Sequence, residues 1–270
     1  MSKKQRITSL VVFVCVLALL LVGIILTGGN ADHSESIQEV MKNEVLHETA
    51  KISLFGLMDV NPGLISAIVV NAMLIVFAII VRIFVVPKFK QVPGKFQLLL
   101  EQAVGLFDGL AKTNSPHKPR FISSYIFIAG AYIFVSTVFE LLGLQAVSTA
   151  GHSTVLPAPL ADINGAIAMG FMSYGIILGG GLVTNGIRGV GKTLKDFSLP
   201  ISMSFRLFGA MLSGALVTEL VYHYIALSFV LPVIVGVLFT LLHAVIQAYV
   251  LTTLTSIFYG EVTEPHHKKA

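Results

Sequence analysis

The fold turns on residues 63–86, GLISAIVVNAMLIVFAIIVRIFVV, an apolar run whose single charge is Arg82. As a helix rising about 1.5 Å per residue it would be about 36 Å long, enough to cross the roughly 30 Å hydrocarbon core of a bilayer. Further apolar runs occupy about 121–143, 163–183, 200–222 and 227–259, and another, Leu10–Leu26, follows the basic Lys3, Lys4 and Arg6. None shows the ten-residue alternation of a membrane barrel strand, and lipid leaves the backbone only helices or closed barrels. The chain therefore reads as an all-α membrane protein with about six transmembrane helices, counting the first run if it is retained. Its 270 residues are 55% apolar and 12% charged. Globular domains are roughly a quarter charged, so both a disordered chain and an ordinary soluble domain are excluded. The lone Cys15 excludes a disulfide framework and a cysteine metal site.

Leu10–Leu26 suits either a cleaved signal peptide or a retained anchor. Its apolar stretch is long for a signal, and Thr27-Gly-Gly-Asn-Ala31 lacks a clean A-x-A cleavage pattern, so an N-terminal anchor over 1–27 is favoured. A polar extracytoplasmic segment, 28–61, carries Asp32, Glu35, Glu39, Glu44, Glu48 and Asp59 against Lys42 and Lys51. Residues 62–260 form the transmembrane domain and 261–270 a cytoplasmic tail. With the N-terminus in the cytoplasm, 14 of the 18 basic residues lie inside, in 1–6, 87–120, 184–200 and the tail, and 2 lie outside. Arg82 and Arg206 fall within spans. The positive-inside rule thus favours cytoplasmic termini, and the basic excess belongs to membrane topology rather than to nucleic-acid binding.

Arg82, four residues before Val86-Pro87, can snorkel to the interface. Arg206 is preceded by Ile-Ser-Met-Ser-Phe and followed by an uncharged stretch to Val217. An arginine at membrane depth costs about 3 kcal/mol on insertion scales, which makes it a functional candidate, with an interfacial position at a helix start as the alternative. Ser202, Arg206, Gly209, Ala210 and Ser213 fall on one helical stripe, in which small residues let another helix approach the guanidinium. Thr240, His243 and Gln247 share one face of the last run. A histidine there serves either as a donor to a neighbouring carbonyl or as a station in a hydrated proton path. Glu219, thirteen residues beyond Arg206 and four before His223, either loads ions from outside or ends its helix in water. Glu140 lies near the outer end of its span.

Gly186-Ile-Arg-Gly-Val-Gly191-Lys192-Thr193 matches G-x-x-x-x-G-K-[ST] literally. A phosphate-binding loop follows a buried strand and opens a helix, whereas this stretch follows an apolar span and meets Pro200 nine residues beyond Gly191, so a nucleotide site is rejected. Lys192 and Lys195 read as positive-inside loop charges. His266 and His267 alone make no metal site. No cofactor is expected.

At Ser202-Met-Ser-Phe-Arg206-Leu-Phe-Gly209 and Gln247-Ala-Tyr249 the sequence resembles subunit a of F-type ATP synthases. Val92-Pro-Gly-Lys-Phe-Gln97, with Glu101 and Val104, resembles the family's cytoplasmic stretch after an early span, and Asp162-Ile-Asn164 the opening of a middle span. The resemblance covers about 60–260. It implies a five-span core, here with an extra N-terminal span, whose last two helices form a long hairpin facing a ring of c subunits. It also implies a bacterial-type cell membrane, a b-subunit peripheral stalk, the remainder of the ATP synthase, and transported H+ or Na+ moving through two half-channels. No covalent chemistry falls to this chain. Arg206 would be the essential ring-facing arginine, Ser202 the serine one turn earlier, Gln247 the glutamine opposite, and Asp196 the acidic loop residue near the cytoplasmic half-channel.

Three positions depart from the family pattern: Ala210, Ala215 and Thr240 stand where members carry larger polar groups. If Arg206 faces Gln247 in an antiparallel hairpin, His243 falls beside Ala210 and Thr240 beside Ser213. His243 would then fill the room left by Ala210, and Glu219 would supply the outer carboxylate. A stand-alone secondary proton or cation transporter is the rival reading, disfavoured because no inverted repeat is found. A structural scaffold comes last.

Overall fold

The computed structural model describes residues 52–54, 58–149, 153–223 and 231–265. The expected N-terminal anchor, the centre of the polar segment and the histidines of the tail lie outside the described residues. Among the described residues, five helices are long and apolar enough to cross a membrane. They coincide with the five later apolar runs of the sequence, and the protein is a mostly helical, multi-pass membrane protein.

Strands β1 (Ile52–Leu54) and β2 (Met58–Val60) pair antiparallel and lead into α1 (Pro62–Ile80). The start of α1 is fixed locally: the Asn61 side chain accepts a hydrogen bond from Gly63 N at 3.0 Å, and Pro62 occupies the first turn. Toward Pro87, which has no N–H to donate, the helix loosens into a wider turn over Val81–Val85 and a tighter one over Val86–Lys88. Helix α2 (Lys95–Asn114) was not foreseen within the basic 87–120 stretch. The Gln97 amide braces the preceding loop, accepting from Lys90 N (3.1 Å) and donating to Lys90 O (2.9 Å) and the Glu101 carboxylate (2.7 Å). The Val92–Glu101 motif therefore reads physically as a loop clamp.

Helix α3 (Pro119–Phe139) returns beside α2; Phe107 meets Phe127 edge-on at 5.7 Å and packs on Gly130, which leaves no room for a Cβ. After a tight turn closed by Gly143 at φ +57°, strands β3 (Gln145–Val147) and β4 (Ser153–Val155) form a second hairpin. Neither three-residue hairpin was read from the sequence. Asp162 then caps α4 (Ile163–Lys195), accepting from Asn164 N at 2.9 Å, which explains the D-x-N pattern.

The apolar run predicts a span ending near 183 and a loop over 184–200. Helix α4 continues instead to Lys195, broken at Gly186, whose φ of +59° and ψ of −142° turn the chain back. Gly189 in the second arm lies against the Gly181 carbonyl in the first, and the Tyr174 hydroxyl donates to Thr193 O at 3.1 Å. Helices α5 (Ser198–His223) and α6 (Leu231–Thr263) complete the fold.

Residues 49–212 and 240–270 form one compact unit, and Ser213–Phe239 belong to a second. The main unit's core draws Ile122, Ile126 and Ile133 from α3, Met169 and Ile177 from α4, Met203 and Leu207 from α5, and Leu251 and Tyr259 from α6. Close approaches tie these helices together. Gly170 lies against Ser204 and Pro200, Gly180 against Tyr259, and Gly260 against Asn114. The Asn185 amide donates to Val262 O (2.7 Å) and Glu264 O (3.0 Å), filling carbonyls that the end of α6 would leave open.

Candidate functional site

The inward side of α5 explains its outward side. Met203, Ser204, Leu207 and Met211 recur at helical spacing and are buried in the core. Ser204 turns its hydroxyl to Pro200 O at 2.7 Å, and Gly170 of α4 packs directly on it. With that face committed to the protein, the other face must present Ser202, Phe205, Arg206 and Gly209, all of which are exposed, with Ala210 half-buried at the edge. Ser213, in the second unit, is exposed too. Nothing among the described residues lies within 4 Å of a Cβ built at Gly209, so the small residue leaves open space beside Arg206. Among the described residues, no ion pair joins Arg206 to an acidic partner.

On α6, Gln247 is 7% exposed, and among the described residues its Oε1 has no hydrogen-bond partner. A buried amide oxygen without a donor costs about 1–3 kcal/mol relative to a satisfied one, so its retention asks for a reason beyond packing. His243, one turn earlier, and Thr240, one turn before that, are half-buried. Further along, Thr252, Thr255 and Thr263 return their hydroxyls to carbonyls one turn back. Ser256 accompanies them, its carbonyl accepting from Ser115 at 2.5 Å. The Thr253 hydroxyl oxygen, like the Gln247 amide oxygen, is buried without a hydrogen-bond partner among the described residues.

Asp196 ends the second arm of α4. Its N–H reaches Thr193 O at 3.1 Å and its carbonyl accepts from Leu199 N at 2.9 Å, leaving a half-buried carboxylate between α4 and α5. Ser202, Arg206, Gln247, His243 and Asp196 all belong to the main unit, and Ala210 and Ala248 contribute to the same core. Glu219 belongs to the other unit and its side chain lies outside the described residues, as does His223's. Glu140 is half-buried just past the C-terminal end of α3.

Sequence reading missed the burial of Gln247, because spacing along a helix places a residue on a face without saying what covers that face. It also missed Asn185. Its position three residues before a basic stretch could have signalled a helix cap, had the arm after Gly186 been recognised.

Residues 66–260 match the family described as ATP synthase A chain. ATP synthase subunit a of Haemophilus ducreyi is 31% identical over 114 residues, which are 40% of this chain and 43% of that protein. The chain thus spans under half the length of the curated relative it matches. The family match covers well over half of the chain and all of the described spans except the first turn of α1 and the last three residues of α6. The chain belongs to the ATP synthase A chain family.

Proposed function

We propose that this chain is the ion-translocating stator subunit a of an F-type ATP synthase, coupling H+ or Na+ flow to rotation of a c-subunit ring and thereby to ATP synthesis. The observation that carries the reading is the exposed arginine face of α5, backed by a helix side wholly committed to the core. A guanidinium presented on such a face favours the ionised form of a carboxylate brought against it. A ring carboxylate therefore gives up its ion before it passes Arg206, and ions do not leak directly between two half-channels. Gly209 and Ser202 keep the surface flat enough for a rotor helix to pass.

The buried Oε1 of Gln247 accepts from a donor when the ring is docked, and Asp196 lines the cytoplasmic half-channel. Glu219 and His243 serve the outer one. The remaining partners are the peripheral stalk and the catalytic sector, and the chain sits in a bacterial-type cell membrane with its termini in the cytoplasm.

The test is ATP-driven ion uptake by membrane vesicles carrying Arg206→Ala, with assembly of the whole complex measured in the same preparation. Uptake at background in a fully assembled complex is the expected result. Normal uptake would return Arg206 to an interfacial role.

A further inference from the structure

The second arm of α4, residues 187–195, resolves into three faces. Gly189 and Thr193 are buried against the first arm, where Gly189 meets the Gly181 carbonyl and Thr193 O receives the Tyr174 hydroxyl. A second face carries Ile187, 87% exposed, and Leu194, 53% exposed, continued by Val183 at the turn and Phe197 at the far end. The third carries Arg188, Lys192 and Lys195, of which Arg188 and Lys195 are exposed and Lys192 is half-buried. The arm has no acidic residue until Asp196 closes it. Among the described residues, none of the three cations has an ion-pair partner.

We propose that this arm is a docking site for anionic lipid headgroups. Ile187, Leu194, Val183 and Phe197 seat among the acyl chains beside the span they are continuous with. The three cations, on stems long enough to reach upward, take the headgroup phosphates at the interface. The charge pattern fits an anionic lipid and no other component of the leaflet, because each basic group near such a surface contributes about a fivefold preference.

The same reading accounts for the apparent nucleotide motif. Gly186 makes the turn at positive φ, and Gly189 permits the close crossing of the two arms. The lysine and arginine keep their chemistry, directed at a phosphodiester on the membrane surface. The inference does not rest on the rotary reading, since it concerns the chain in its bilayer.

The experiment uses the full chain with Cys15→Ser and Val183→Cys, labelled at Val183→Cys with a fluorescent dye and reconstituted in vesicles. These are phosphatidylcholine with 30% phosphatidylglycerol, in which one lipid or the other carries bromine near the headgroup as quencher. Quenching by brominated phosphatidylglycerol is expected to exceed that by brominated phosphatidylcholine, per molar fraction, by at least the roughly fivefold preference of a single basic group. The triple variant Arg188→Gln, Lys192→Gln, Lys195→Gln should bring the ratio to about one, while Lys112→Gln, outside the arm, should leave it unchanged. Millimolar inorganic phosphate should not compete away the preference; competition would reveal a free-anion site and overturn the lipid assignment. Equal quenching by both lipids, a dye that stays in water, or a preference that survives the triple variant would each overturn it as well. Because the three substitutions are on exposed or half-buried groups, retention of the folded state is checked by the unchanged elution profile of the reconstituted chain.

Discussion

Alanine at Gly189 should loosen the hairpin inside α4, and alanine at Gly191 should not. A Cβ at Gly189 would overlap the Gly181 carbonyl oxygen and sit 2.5 Å from its carbon, where ordinary contact begins at 3.4 Å. The arms would have to part by about 1 Å, and the obstacle is backbone, so no side chain can swing aside. Overpacking of this kind costs about 1–3 kcal/mol. Both variants gain the same helix propensity, about 1 kcal/mol, from losing a glycine. At Gly191, where nothing among the described residues lies within 4 Å of a built Cβ, that gain stands alone. The difference between the two variants is therefore the clash itself, about 1–3 kcal/mol, or roughly 5- to 150-fold in local opening. Amide hydrogen exchange over residues 187–195 in detergent-solubilised protein reads this opening directly. Exchange should be faster in Gly189→Ala and slower in Gly191→Ala than in the parent. If the two variants exchange alike, the arms do not cross at Gly181 and the reversal at Gly186 is wrong.

Replacing Gln247 by Leu removes a buried oxygen without a partner, so thermal stability should hold or rise by about 1 kcal/mol while ATP-driven ion uptake falls; a loss of both together would make Gln247 a packing residue. Asn185→Ala frees the Val262 and Glu264 carbonyls and should cost about 1 kcal/mol, visible as faster proteolysis after Thr263, with no change meaning that the cap does not hold α6. Asp108, outside the spans, has its carboxyl held below the usual carboxylate range by the hydrogen bond from Lys112, against partial desolvation. Its folded-state value is depressed, so the stability it contributes is present above the ordinary carboxylate range and is lost as pH falls through the lowered one. Lys112→Ala should move the titration of Asp108 upward when followed by carboxyl chemical shift, and an unmoved titration would show the pair to be absent in solution.

What could be read from the chain followed the strength of the physical signal. A run such as 63–86 has one stable solution in lipid, so five spans were legible to within a few residues at most ends. Helix α4 was cut short because Arg188, Lys192 and Lys195 looked like loop charges; cations that belong at an interface are equally at home on a helix lying there. Helix α2 carried its own signal in Phe96, Leu99, Ala103, Leu106 and Leu110, spaced at threes and fours, but counting charges over 87–120 passed over it. The hairpins at 52–60 and 145–155 have strands of three residues, too short for alternation to show. The arginine stripe was legible because exposure on one side of α5 follows from four apolar or small residues packed on the other. The burial of Gln247 was not, since spacing along α6 sets its face but not what covers that face.

The exposed face of α5 also bears on how the chain holds together. Arg206 turned to hydrocarbon costs about 3 kcal/mol, a large share of the stability of a typical domain, and small neighbours such as Gly209 offer little apolar surface to offset it. A rotor carboxylate placed opposite would convert that cost into a favourable pairing, so on the proposed reading assembly recovers energy that the isolated chain forgoes. Arg206→Leu should then stabilise the isolated chain and weaken its hold on the ring. The comparison is a thermal melt of the chain alone against co-purification of c subunits with the complex. If the leucine variant is no more stable alone, Arg206 is already satisfied by water or headgroups, and the face lies at the interface rather than against a partner in the membrane.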